Sequence, residues 1–331
     1  MSSFKQSFPL LVFVLLICLE PAIAQDSGQP AKQKTQNQNS KQQKNKKKAA
    51  APFKWVNPLT KNDKKKLPSL KHATFKSPSL NVDVGYCIYL PPDYKVAEFK
   101  NKRFPVVYYL HGGRPGSERK SIRLVSEIDK HIAAKKVAPM IYVFVNGGPV
   151  SHYNMPNDPE AQGADVFIKE LIPHVDATYR TIANRKGRGL EGFSQGGRGT
   201  ARLMFRYPQL FCSASPGGGG HATEKKISEN DGAESDRLRF ARGDNTWDLA
   251  CDFQLNKNSF GQELKILVHV GDKGFNYENN LEWMKHLTSL GIEHQKIIVP
   301  GAGHSAMEIY QKRGLDIMKF HAANFQANEE K

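Results

Sequence analysis

Short, unbroken apolar runs alternate with helical stripes along most of this chain, and that alternation leaves few folds open. Pro105 to Leu110, Met140 to Val145 and Leu264 to Val270 read as strands buried on both faces. Val82 to Leu90, Gly187 to Glu191, Phe211 to Ser215 and His294 to Val299 supply further strands, although Gly187 to Glu191 is a poor strand by composition. Between them, Ile122 to Ala134 carries apolar residues at 122, 125, 128, 132 and 133, one face of a helix. Similar stripes run through Val166 to Val175, where Pro173 should bend the helix, and through Thr200 to Tyr207, Trp247 to Phe253, Leu281 to Leu290 and Ala306 to Ala322. Residues 52–76 are mixed and Lys-rich, an irregular lead-in. Strand–helix alternation predicts an α/β domain, a mainly parallel central sheet flanked by helices on both faces. Such sheets do their chemistry beyond the carboxyl ends of the strands. The Gly-rich and polar segments 111–116, 146–157, 192–197, 271–278 and 301–305 fall there. The long 217–245 connection breaks the rhythm and is expected to shape a pocket.

One of these segments, Gly192-Phe193-Ser194-Gln195-Gly196-Gly197, has the spacing of a nucleophile elbow. A serine on a tight strand-to-helix turn projects its hydroxyl into a cleft, and the following helix aims N–H groups at the developing charge. A hydroxyl needs an adjacent base at neutral pH. His304, in the Gly-rich turn after the last strand, is the candidate base and satisfies the chain order serine, acid, histidine. Asp272, after strand 264–270, is the first choice for the acid, with Glu278 behind it. Gly112 and Gly113, following His111, let backbone N–H groups approach a substrate oxygen, and the N–H of Gln195 supplies the second donor.

Composition limits the remaining readings. Lys5, the apolar run Phe8 to Leu19 and Ala22-Ile23-Ala24 form an export signal over residues 1–24, so a secreted or periplasmic location is expected, with no transmembrane span after its removal. Residues 25–51 are Gln, Asn and Lys with few apolar side chains, which predicts a disordered linker with some attraction to an acidic envelope surface. Residues 52–331 hold the α/β domain. The whole chain carries 48 basic and 32 acidic residues, but no nucleic-acid motif accompanies this excess, so no nucleic-acid partner is expected. There is no Cys-x-x-Cys, His-Glu-x-x-His or Walker loop, and neither a metal nor a cofactor is expected. Cys87, Cys212 and Cys251 remain after signal removal, too few and too irregular for a disulfide framework.

Together these residues resemble the esterases of the α/β-hydrolase fold, the group that includes feruloyl and acetyl-xylan esterases, enterochelin-type esterases and the antigen 85 mycolyltransferases. The resemblance runs from about Ser77 to Ala322. It is carried by Tyr89-Leu90-Pro91-Pro92-Asp93-Tyr94, Pro105 to Gly113, Glu170 to Arg180, the elbow and Pro300-Gly301-Ala302-Gly303-His304. It implies a serine carboxylic-ester hydrolase working through an acyl-enzyme, with Ser194 as nucleophile, His304 as base and oxyanion donors near Gly113 and Gln195. It also implies acyl or feruloyl esters of polysaccharides as substrates, and transfer to another alcohol as an alternative to hydrolysis. One position departs from the group's pattern. The acid usually closes a Gly-x-x-Asp turn, and here that turn is Gly271-Asp272-Lys273-Gly274. Either Asp272 takes over, or another carboxylate serves, or the chain is a catalytically impaired scaffold that binds envelope or polysaccharide.

Overall fold

Val106–Leu110 (β3) lies at the centre of an eight-stranded sheet, hydrogen-bonded on one side to Ile141–Val145 (β4) and on the other to Arg188–Phe193 (β7). The computed structural model describes residues 53–155, 158–221, 243–260 and 263–326. The expected export signal and linker, and most of the 217–245 connection, lie outside the described residues. The other strands are Leu70–Lys76 (β1), Asp83–Tyr89 (β2), Ser213–Gly217 (β8), Lys265–Gly271 (β9) and Gln295–Val299 (β10). Their order is β1-β2-β4-β3-β7-β8-β9-β10, with β2 antiparallel to both its neighbours, β1 and β4, and the six strands from β4 to β10 in that order mutually parallel. A small separate hairpin pairs Asn154–Met155 (β5) with Asp158–Gln162 (β6).

Alternate side chains of β3 explain the two layers of helices. Val106, Tyr108 and Leu110 join a core with Leu203 and Phe205 of α5 (Gln195–Arg206), Leu249 of α6 (Thr246–Asn256) and Trp283 of α7 (Tyr277–Ser289). Val107 and Tyr109 face the opposite core, with Ile128 of α2 (Val125–Ala133) and Ile309 and Ile317 of α8 (Ala306–Gln326). The expected mainly parallel sheet with helices on both faces is what forms.

Two local expectations, at 52–76 and at Phe211 to Ser215, need correction. The lead-in is ordered over its described residues, 53–76: Lys61–Lys66 is a helix, α1, capped by Thr60, and Leu70–Lys76 is the edge strand β1. The run is too polar to announce a strand, but an edge strand paired only with β2 need not be apolar. At Pro173, the short α3 (Gly163–Asp165) passes through a π-helical stretch, Val166–Leu171, into α4 (Ile172–Thr178). The proline falls in the first turn of α4, where its missing N–H costs least. The strand placed at Phe211 to Ser215 runs two residues later and includes Pro216. Cys87, Cys212 and Cys251 are thiols, not disulfides.

The register brings the functional loops to one edge. Leu110 pairs with Gly192, Phe193 with Gly217, Gly217 with His269, and Gly271 with Val299. The residues just after each of these, at 111–113, 194, 218–221, 272–276 and 300–304, therefore emerge side by side.

Candidate active site

Ser194 joins β7 to α5 with φ 61° and ψ −120°, a backbone conformation that costs a non-glycine residue about 1–3 kcal/mol. Its surroundings enforce the turn. A Cβ on Gly196 would fall inside the Leu110 carbonyl, so α5 starts this close to β3 only with glycine there. Although Ser194 occupies the cap position of α5, its side chain does not cap the helix. Its Oγ lies 2.8 Å from Nε2 of His304.

His304 is half-buried between two rings, Phe193 at 4.9 Å and Phe275 at 4.0 Å between centroids. Its Nδ1 lies 3.2 Å from Oδ1 of Asn276. The amide is oriented by its other end, because Nδ2 donates to the Gly218 carbonyl. With Oδ1 thus facing His304, Nδ1 carries the imidazole proton and Nε2 is left to accept from the Ser194 hydroxyl.

Asn276 stands where the sequence led us to expect Asp272 or Glu278. The Asp272 carboxylate instead accepts from the Gly301 N–H at 2.8 Å. With Asp272 N–H to Val299 O and Lys273 N–H to Ala302 O, it ties the β9–α7 turn to the β10–α8 turn. Asp272 braces the loop that carries His304. Glu278 lies in the first turn of α7 and is exposed. A Cβ at Gly274 would lie 3.6 Å from Asn276 Oδ1 and 3.8 Å from His304 Cα, so position 274 borders the same contact. The signal for Asn276 was its place two residues beyond Gly274. That signal is weak, because a carboxylate is the usual partner of such a histidine.

Four consecutive carbonyls wall the site beside Asn276. Gly218 O accepts from Asn276 Nδ2, Gly219 O from Asn280 Nδ2, Gly220 O from Arg198 and His221 O from Asn279 Nδ2. Asn276, Asn279 and Asn280 recur at the three- and four-residue spacing of one helix face. His221 then stacks on Trp283, with centroids 3.9 Å apart.

The expected oxyanion loop lies against the serine. A Cβ on Gly112 would be 3.0 Å from Ser194 Cβ, and Gly113 has φ 65°. Gln195 opens α5, whose first N–H groups have no partner within the helix. His111 is buried, and burial holds its pKa well below the ordinary imidazole value, so it is neutral at physiological pH. Among the described residues, no group of three or more His, Cys, Asp or Glu side chains is placed to hold a metal ion. No helix among them is long and apolar enough to cross a membrane.

The chain has counterparts among known proteins. A family model described as "Putative esterase" matches residues 77–304. Esterase Rv1288 of Mycobacterium tuberculosis is 30% identical over 155 residues, which are 45% of this chain and 32% of that protein. The endo-1,4-beta-xylanase/feruloyl esterase of Xylanibacter ruminicola is 29% identical over 153 residues, 43% of this chain and 20% of that protein. The chain thus spans well under half the length of these curated relatives. Among solved structures, a ferulic acid esterase matches 77% of this chain and 98% of its own with a TM-score of 0.65 at 22% identity, a likeness of fold. With more than half of its length matched by the family model, an elbow serine facing a histidine and an α/β-hydrolase sheet beneath them, this chain belongs to that esterase family.

Proposed function

We propose that the chain hydrolyses carboxylic esters through an acyl-enzyme on Ser194. The observation that carries this reading is the 2.8 Å approach of Ser194 Oγ to His304 Nε2, in a tautomer favoured by Asn276. Ser194 Oγ attacks the ester carbonyl as its proton passes to His304. The N–H groups of Gln195 and of the Gly112–Gly113 loop receive the oxyanion. His304 returns the proton to the departing alcohol, and water then clears the acyl group by the same route. Asn276 orients the imidazole but brings no negative charge to the imidazolium that forms.

The substrate we propose is an acyl or feruloyl ester of a polysaccharide. Phe275 supports this reading: it is 84% exposed and its ring lies against His304, a flat apolar face at the site that a sugar or aryl ring can cover. The name of the xylanase/feruloyl esterase relative points the same way. Export to the cell exterior or periplasm, on the residue pattern of 1–24, and attraction of the Lys-rich 25–51 segment to an acidic envelope surface are part of the same proposal. The amide at 276 favours one second reading, a scaffold that binds such a polysaccharide with little turnover.

Release of p-nitrophenol from p-nitrophenyl acetate and of ferulate from methyl ferulate, by the purified chain and by Ser194→Ala, tests the reading. Loss of turnover by a factor on the order of 10⁴ or more is expected. Wild-type turnover in the variant would overturn the serine mechanism. No turnover in either protein, with no labelling of Ser194 by a fluorophosphonate, would leave the scaffold reading.

A further inference from the structure

Three successive carbonyls at the end of β3 are each held by a side chain. His111 O accepts from His152 Nε2 at 3.0 Å. Gly112 O accepts from His111 Nδ1 at 3.0 Å. Gly113 O accepts from the Ser151 hydroxyl at 2.6 Å. The direction of the His111 bond follows from its other nitrogen, where Nε2 accepts from the N–H groups of Ser117 and Gly147 at 3.3 and 3.2 Å. These three peptides are trans, so each N–H points away from its restrained carbonyl. The restraints therefore aim the N–H groups of Gly112, Gly113 and Arg114, on the loop that lies against Ser194.

Two of the three restraints come from one strained turn. Ser151 and His152 both have positive φ, 46° and 67°, a region in which consecutive non-glycine residues are costly. Both are fully buried. The neighbouring chain leaves room for them. A Cβ on Gly147 would lie 2.6 Å from His152 Cε1 and 2.9 Å from His111 Nε2, and one on Gly199 would lie 3.0 Å from His152 Cβ. His152 also closes its own turn, donating its N–H to Gly147 O at 2.7 Å. Burial lowers the His152 pKa to about 4, so at neutral pH its ring carries a single proton, and the bond to His111 O places that proton on Nε2. A strained, buried turn that spends both side chains on the backbone of the proposed oxyanion loop has a positioning geometry.

We propose that Ser151 and His152 are positioning residues of the oxyanion site, holding the 111–113 carbonyls so that the loop's N–H groups stay aimed at the oxygen of a substrate bound to Ser194. Neither side chain touches the substrate. The proposal rests on the serine mechanism above, and on Gly112–Gly113 being half of the oxyanion site. Without the Ser151 hydroxyl, Gly113 O loses its donor, the Gly113–Arg114 peptide can rotate, and the Gly112–Gly113 loop loses its anchor on that side. Without the His152 ring, His111 O is released in the same way. Either change weakens the tetrahedral intermediate and leaves ground-state binding of the ester in place.

Ser151→Ala and His152→Asn test this, asparagine being chosen because it tolerates positive φ. Two quantities are compared with wild type: kcat and KM on p-nitrophenyl acetate, and the inhibition constant of an aryl trifluoromethyl ketone. Ser194 Oγ adds to the ketone carbon, its proton passes to His304 Nε2, and the carbonyl electron pair moves onto oxygen, giving an oxyanion in the site. We expect kcat and ketone affinity to fall together by about ten- to a hundredfold, less than the loss of a whole donor, with KM changed by less than about twofold. An unchanged kcat and ketone affinity, or a change in KM alone, would overturn the proposal. If His152→Asn does not fold, the Ser151→Ala result decides, since it removes one oxygen atom. Ser194→Ala is assayed alongside: full activity there overturns the serine mechanism itself. An inactive Ser194→Ala beside an unaffected Ser151→Ala overturns only the positioning role.

Discussion

Ser194 and Asn276 occupy the cap positions of α5 and α7, and in neither does the side chain cap its helix. Serine and asparagine are among the best capping residues, so diverting both forgoes stabilisation of about 1 kcal/mol each. Both side chains turn to His304 instead. The amide at 276 sets the expected size of a substitution there. In a serine protease, exchanging the acid for its amide costs about 10⁴ in kcat because the histidine takes the wrong tautomer. Here Asn276 Nδ2 is committed to Gly218 O, so the oxygen faces His304 and the right tautomer is kept. Asn276→Ala therefore removes the orientation of His304 together with the bond to Gly218 O, and no charge. It is expected to lower kcat on p-nitrophenyl acetate by roughly ten- to a hundredfold with KM little changed. Asp272→Ala, which unties Gly301 N–H without touching the ring contact at 276, is expected to cost less in kcat than Asn276→Ala in the same assay.

At the scale of elements, the site depends on how closely α5 approaches β3 and β8. The Gly196 Cα faces the carbonyls of Leu110 and His111, and Gly197 faces Gly217. Gly196→Ala pushes a methyl group into backbone that belongs to the centre of the sheet. Overpacking of this kind costs about 1–3 kcal/mol. The variant is expected to lose at least that much in urea unfolding, and also to lose activity, since Ser194 and Gln195 would move with the helix start. Much of this arrangement was legible beforehand. The elbow glycines are a local steric demand, and a five-residue pattern records it. The α7 clasp of Asn276, Asn279 and Asn280 was not legible, although its spacing is helical, because asparagines on a helix face are ordinarily solvated and their partners lie about 60 residues away, at 58 to 61.

For the whole molecule, buried titratable groups set the dependence of stability on pH. His152 is lowered to about 4 and His221, His269 and His321 to about 3, all chiefly by burial, and His111 is lowered likewise. The unfolded chain takes up these protons near pH 6.5, while the folded chain resists them. Stability is therefore full above about pH 6.5 and is lost as pH falls toward 3 to 4. Glu191 has the opposite sign. Burial raises its pKa to about 8, against the Tyr310 hydroxyl, which donates to its two oxygens at 2.8 and 2.9 Å, with Tyr109, Tyr142 and His321 around it. The folded state holds that proton after the unfolded state has released it. Its contribution is present below about pH 4.5 and is lost as pH rises to about 8. Urea midpoints measured from pH 5 to 9 are expected to fall below pH 6.5 in the wild type. In Glu191→Gln the decline on the alkaline side should be reduced.

The sequence by itself determined the α/β architecture, the turn at Ser194 and the place of His304. Each is written in short-range terms: the period of apolar residues, glycines beside a serine, and a histidine just past a buried strand. Tertiary structure decided which side chain meets Nδ1 of His304, which residues hold the oxyanion loop, and that residues 70–76 complete the sheet edge. Asn276 is 28 positions from His304, His152 is 41 from His111, and β1 is recognisable chiefly by its partner β2. Such contacts depend on strand register and helix placement, which bring distant residues within hydrogen-bond reach. The chain order of residue types limits the candidates for such a partner but does not set the distances between them.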